Sequence, residues 1–278
     1  MDAIKKNQLY QLMDDYWDDY VIHRDDPNDI YFIRPSIPII WFGNIEAYFN
    51  SKIRVVTIAI NPSDKEFPNS KEKFYRFAGA NSFSDKKTLS DKKDKDNLYT
   101  VLNNYFDSID QKKKPTYYSW FNSYERCLST MKYCTSYHNT NTTNNVAIHI
   151  DCFSALATQK YQSLPDSYKK KLNRTDLFTR LFNILDPNLI LFSKDFPTFK
   201  SVVFDNTQEP APDFVFPENT KQDNCGKIRS YIVDNKLYIW GRFWQQAFNL
   251  APYSYIDAFN HINDIYDYDF AQNVWKIT

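Results

Sequence analysis

The segment Ile53-Arg54-Val55-Val56-Thr57-Ile58-Ala59-Ile60-Asn61-Pro62-Ser63-Asp64-Lys65-Glu66-Phe67 constrains this chain more than any other. A β-branched, apolar run from Ile53 to Ile60 stops abruptly at Asn61-Pro62-Ser63-Asp64. Apolar residues at both alternating positions mark a strand buried on both faces, as in parallel sheets. Pro62 offers no backbone donor and pushes Asn61 toward an extended conformation, so the strand ends there. Its carboxyl end then presents an amide, a hydroxyl and carboxylates, and in open α/β sheets that edge is where ligands bind. The same Asn-Pro-Ser sequence also serves as a plain strand-ending turn that caps the next helix.

Few other sequence features bear on chemistry, and most of them exclude. The 278 residues suffice for one large α/β domain with a substantial core. Basic and acidic residues balance at 34 each, so any nucleic-acid surface must be local. Aromatic residues make up 18% of the chain, a high share; most read as core, and a surplus of Tyr and Phe would offer flat rings for bases to stack on. Gly43, Gly79, Gly226 and Gly241 are the only glycines, which excludes a Gly-rich phosphate loop of the dinucleotide or Walker type. Cys127, Cys134, Cys152 and Cys225 form no Cys-x-x-Cys pair and no ligand spacing with the four histidines. They read as reduced thiols, so no metal site and no cofactor is expected. The start of the chain is acidic and amphipathic rather than an apolar signal core, and no run approaches membrane-spanning length. A cytoplasmic protein with no membrane partner is expected.

Along the chain, Leu9, Leu12, Met13, Tyr16, Trp17 and Tyr20 fall at helical spacing with aspartates between them. Residues 84–96, nearly all Lys, Asp and Ser, read as an exposed loop or insertion. Further helices are expected at 98–106, at 120–128, across 165–185, where Asp186-Pro187 ends the pattern, and from Phe243 to about Tyr266. Strands are expected at 146–150, 189–192, 228–233 and 236–240, the last two forming a hairpin at Asp234-Asn235. The second of that pair is the expected fourth parallel strand. The order predicts an α/β fold with helices on both faces of a mostly parallel sheet, in a single domain over 1–278. Residues 1–35 would be a helical N-terminal extension and 246–278 a helical C-terminal one.

Polar residues follow each expected strand. Asn61, Ser63, Asp64 and Glu66 follow the first, Asp151, Cys152, Phe153 and Ser154 the second, and Ser193, Lys194 and Asp195 the third. Gly241, Arg242, Phe243 and Trp244 follow the last. Gathered on one edge, they would converge over an aromatic floor.

Three stretches in series carry a resemblance: Pro38-Ile39-Ile40-Trp41-Phe42-Gly43, then Ile60-Asn61-Pro62-Ser63 with Glu66-Phe67, then Arg76-Phe77. Together they resemble the uracil-DNA glycosylase superfamily, and within it a bacterial branch with a Gly-Leu-Asn-Pro-Ser-type first motif. The segment from Ala147 to Thr158 resembles that branch's second strand and loop, and Leu189–Ser193 its third strand. The resemblance implies a three-layer α/β/α fold around a central, mostly parallel four-stranded sheet. It also implies a pocket for a base flipped out of DNA. On that basis Asn61 would position water, with Asp64 or Glu66 taking the proton that an amide cannot. Asp151 would read the base edge, and Phe77 or Phe83 would stack on the ring, with Phe153 and Ser63 beside them. Arg242, Arg76, Lys112, Lys113 and Lys114 would meet phosphate or developing charge. Ala59 stands where the family carries Gly, and Gly241-Arg242-Phe243-Trp244 holds the place of its His-Pro-Ser motif.

Each residue also has a plainer role. Asp151 can cap a helix or loop, His149 within its apolar run reads as a core histidine, and Glu66 can be a solvated turn residue. Arg242 can stack on Trp244, and the lysine runs, including Lys169-Lys170-Lys171, can be solvated faces. The functional expectation is a DNA glycosylase-like hydrolase acting on a damaged or modified base. The alternative is a catalytically silent nucleic-acid or nucleotide-binding module of the same fold, in a defence or regulatory setting. A protein-interaction role for the acidic first helix is a third.

Overall fold

The computed structural model describes residues 1–67, 74, 76–106, 118–133, 135–138, 144–193, 196–204, 211–216, 227–242 and 255–278. In chain order it comprises α1 (Ala3–Asp25), α2 (Ile45–Asn50), β1 (Val55–Ala59), α3 (Lys92–Asn103), α4 (Tyr118–Thr130), β2 (Thr135–Ser136) and β3 (Asn145–Asp151). Next come α5 (Asp166–Leu172), α6 (Thr175–Leu185), β4 (Leu189–Phe192), α7 (Phe196–Val203), β5 (Phe214–Phe216), β6 (Lys227–Val233), β7 (Lys236–Arg242), α8 (Tyr255–Ile265), β8 (Tyr266–Asp269) and β9 (Val274–Ile277). The chain divides into two compact units of three segments each. One unit holds Met1–Phe49, Ile60–Tyr117 and Ile148–Asp186, and the other holds Asn50–Ala59, Tyr118–Ala147 and Pro187–Thr278.

A large, mostly parallel sheet runs in the order β2-β3-β1-β4-β7-β6-β5. Among the described residues it has seven strands rather than the four expected. β1 pairs parallel with β4 and β4 with β7, so the second strand of the hairpin is indeed the one that continues the parallel set. β6 folds back antiparallel on β7, and β5 adds antiparallel to β6. The hairpin turns through Asp234 and Asn235, both at positive φ, the two-residue geometry that matches strand twist and suits Asn and Asp. β1, β3 and β4 are buried along their whole length, as their two-sided apolar pattern requires.

In the second unit, Tyr137 and Thr57 share a hydrogen bond of 2.5 Å, and Tyr124 donates to the Ile58 carbonyl. The expected helical C-terminal extension is corrected here. Residues 243–254 lie outside the described ones, α8 ends at Ile265, and Tyr266–Ile277 forms a two-stranded antiparallel ribbon. Asn273 at φ 58° closes that ribbon, and Trp275 donates to the Asn188 carbonyl at 2.8 Å.

In the first unit, α1 buries Leu9, Leu12, Met13, Tyr16, Trp17 and Tyr20 and packs against α6, which buries Leu177, Phe178, Leu181 and Leu185. Asp2 caps α1 by accepting from the Lys5 amide. Two further expectations need correction. The loop drawn over 84–96 stops at Asp91, because α3 begins at Lys92. Ion pairs replace apolar periodicity in its first turns: Asp94 is buried against Lys86, and Lys95 meets Asp14 at 2.6 Å. The helix expected across 165–185 is two helices, α5 and α6, interrupted at Asn173-Arg174. Arg174 there spans Asp19 and Asp176, and Asp186 in the left-handed region ends α6 before Pro187. Among the described residues no helix is long and apolar enough to cross a membrane.

Candidate functional site

The first two sequence motifs meet within the first unit. The Phe153 amide donates to the Ile60 carbonyl at 2.9 Å, the Thr158 amide to the Pro62 carbonyl at 3.3 Å, and the Asp64 amide to the Thr158 carbonyl at 2.9 Å. The turn after β1 is thus sewn to the segment after β3. Asn61 supplies the central stitch. Its Nδ2 donates to the Pro62 carbonyl at 2.8 Å and to Thr158 Oγ1 at 2.9 Å. A side-chain amide has two N–H donors, and both are committed here to holding the turn. Asn61→Ala removes both bonds and is expected to cost about 1–3 kcal/mol, measured by urea titration.

Beyond the proline the chain turns through a short 3-10 segment, Asp64–Glu66. Ser63 caps it, accepting from the Lys65 amide and donating to Asp64 Oδ1. Asp64 lies on the surface, 4.0 Å from Lys65 Nζ. Glu66 points the other way and is 3% exposed. Its Oε2 accepts from Arg76 Nη1 and from Tyr105 Oη, each at 2.8 Å. Burial pushes the Glu66 carboxyl above its ordinary value, opposed by Arg76 and Tyr105 and reinforced by the charge of Asp151. Desolvation, with Glu66 adding, holds the Tyr105 phenol well above its usual range, so Tyr105 stays a donor.

Aromatic rings surround this pair. Phe77 stacks on Phe67 at 5.1 Å and tilts toward Tyr105 at 5.4 Å. Phe42 lies edge-on to Tyr105 at 4.8 Å and reaches His149 at 5.3 Å. Phe42 and His149 also exchange backbone hydrogen bonds, so the Trp41-Phe42-Gly43 stretch runs along β3. Asp151 ends β3, buried, with Oδ1 3.6 Å from His149 Nε2. Desolvation raises its pKa, and His149 opposes the rise.

The cluster is therefore Glu66, Arg76 and Tyr105, joined through Phe42 to His149 and Asp151. Of the residues singled out in the sequence, it gathers Glu66, Asp151, Arg76 and Phe77. The others lie elsewhere. Phe83 is buried against Trp17 of α1, and Phe153 packs on Tyr161. Arg76, assigned to phosphate, is instead fully buried as the partner of Glu66. Arg242 ends β7 opposite Lys227 in the second unit. Lys169 pairs with Asp166, and Lys171 with Asp26 and Asp29, so neither is a bare cation. Lys112, Lys113, Lys114, Lys194, Asp195, Phe243 and Trp244 lie outside the described residues. Tyr105 escaped the sequence reading because it continues the Leu98-Val101-Leu102 pattern of α3 and looks like core. Phe42 gave a signal only as part of its motif. Among the described residues no three His, Cys, Asp or Glu side chains are placed to hold a metal ion.

Asp151 also fixes a pH signature. Its folded pKa lies above the unfolded one, so the fold favours the neutral acid. That stability is fully present below about pH 4, where the unfolded carboxyl titrates, and is lost as pH rises through the folded value. Asp151→Asn, which has no proton to lose, is expected to gain stability on the wild type as the pH is raised from about 4 upward. Urea midpoints for the two proteins that kept a constant separation over this range would contradict it.

Comparison with family models, with curated proteins and with solved structures finds no match to this chain.

Proposed function

We propose that the chain is a DNA glycosylase-like hydrolase of the uracil-DNA glycosylase superfamily, built on that family's three-layer sheet. It would cleave the N-glycosidic bond of a flipped-out damaged or modified base. The observation that carries this reading is the pair of buried carboxyls, Glu66 and Asp151. Glu66 follows β1 and Asp151 ends β3, they lie within electrostatic reach of each other, and both have raised pKa values. Buried carboxyls whose proton affinity is raised are suited to general acid–base work, and such pairs concentrate at reaction sites.

The roles differ from those the resemblance implies. Glu66, and not Asp64, takes the proton, and Asn61 holds the turn rather than the water. As the bond between C1′ and the base breaks, the base keeps the bonding pair and water adds its oxygen to C1′. The proton that this water loses passes to the Glu66 carboxylate. Arg76 and Tyr105 orient Glu66 through its Oε2, and Asn61 holds the turn that positions it. Asp151 reads the base edge, and the Phe42, Phe67 and Phe77 rings supply the apolar wall that offsets extrusion of a base from its stack. DNA is the partner in this reading.

The test incubates the protein with duplexes carrying uracil, mismatched bases and phage-type modified bases, and scores abasic sites. Release from at least one duplex, lost in Glu66→Gln, is expected; a panel with no abasic sites refutes the reading. Asn61 favours a second reading. With both amide protons tied up, Asn61 keeps only its Oδ1 for water and its donors serve the turn, as in a silent nucleic-acid-binding module. DNA binding with a steep salt dependence, unaltered by Glu66→Gln and without base release, would identify that module.

A further inference from the structure

Asp151 has a side chain only 3% exposed, and its Oδ1 accepts no hydrogen bond among the described residues. The distance of 3.6 Å to His149 Nε2 is too long for one. Buried polar atoms are nearly always paired, because an unmade bond forfeits the water that was given up. A carboxyl oxygen left in this state inside a polar cluster is an acceptor that a ligand N–H completes.

The groups that face Asp151 decide which ligand. His149 adjoins it on β3, and Glu66, itself held by Arg76 and Tyr105, lies within electrostatic reach. Desolvation keeps Asp151 in its neutral form to higher pH, and a neutral carboxyl carries one O–H donor beside one C=O acceptor. That pair matches an amidine edge, with O–H donating to the ring nitrogen and the exocyclic amino group donating to C=O. An imide edge also fits geometrically, but there the proton meets a weakly basic carbonyl oxygen. A ring nitrogen is the stronger base, and the bond to it gains charge-assisted character where water is excluded.

We propose that Asp151 makes this site selective for bases with an amino group beside a basic ring nitrogen, as in cytosine and adenine, over imide bases such as uracil and thymine. This rests on the glycosylase reading above.

The experiment titrates the full chain with free cytosine, adenine, uracil and thymine by calorimetry, beside abasic-site assays on duplexes carrying each base or its modified form. Cytosine or adenine is expected to bind about tenfold or more tightly than uracil and thymine, the effect of one strengthened buried hydrogen bond. Asp151→Asn keeps the shape and a donor–acceptor pair but has no acidic proton, so the preference should collapse to near parity. Circular dichroism verifies that the variant is folded, and Asp151→Ser provides a second variant lacking the acid. Equal or tighter binding of uracil overturns the inference, and so does a preference that survives both substitutions. Release of uracil with amino bases spared overturns it while leaving the glycosylase reading intact. Selective binding of amino bases without any release supports the inference and refutes the hydrolase. No binding by any of the four bases overturns the inference.

Discussion

Replacing Arg76 by methionine is expected to destabilise the protein by about 3–5 kcal/mol, the usual cost of breaking a buried ion pair on one side only. The Arg76 side chain has no exposed surface, and that of Glu66 is 4% exposed. With the guanidinium gone, Glu66 keeps a single donor among the described residues, Tyr105, and must either hold an uncompensated charge or stay protonated. It takes the second course. The Glu66 pKa, already above the ordinary carboxylate value, rises further, and the loss of stability is largest at high pH. A double replacement, Glu66→Leu with Arg76→Met, is expected to cost less than Arg76→Met alone, because no buried charge then remains. Urea titrations of the two single variants and the double variant measure the coupling. A loss within about 1 kcal/mol for Arg76→Met would mean that the pair is wet in solution, since solvated pairs contribute no more than that.

On the glycosylase reading proposed above, Glu66→Gln is expected to lower base release by about 10²- to 10⁴-fold, the range over which positioned acid–base groups act. Glutamine keeps the volume and can still accept from Arg76 and Tyr105 through its carbonyl oxygen, so binding of a base should change far less than turnover. Glu66→Asp retains the carboxyl on a shorter arm and should recover part of the rate with an altered pH profile. A structural role for Glu66 predicts the reverse pattern, in which the aspartate variant, having lost its reach to Arg76, is no better than glutamine. Rates and thermal midpoints measured on the same preparations separate the two. Asn61→Ala provides the contrast: it loosens a turn held by two hydrogen bonds and leaves Glu66's own donors in place.

What was legible in the residues was whatever is encoded over a few neighbours. The two-sided apolar runs gave β1, β3 and β4, and Asp234-Asn235 gave the hairpin between β6 and β7. Elements that depend on partners elsewhere were missed. α3 begins inside a charged stretch because Asp94 and Lys95 meet Lys86 and Asp14, and no periodicity announces such pairs. The β8–β9 ribbon comes directly after a helix, and its alternation over four residues is too brief to stand out from the helical pattern before it. Asp151 and the Asn-Pro-Ser turn were legible as strand-end positions. Tyr105 and Phe42 were not legible, because a buried tyrosine donating to a carboxylate has the same sequence context as one that only fills space.

The sequence by itself therefore determined a strand that must end at Pro62, the polar residues delivered just beyond it, and the absence of a glycine-rich phosphate loop. Only the tertiary structure decided that Asn61 is bound into the turn while Glu66 faces inward, and that Arg76 and Tyr105 meet it there with Phe42 edge-on to Tyr105. The reason is physical. A strand end depends on the backbone of adjacent residues, whereas a carboxyl's proton affinity depends on lost water and on charges tens of residues away, which exist only once the chain has closed around it.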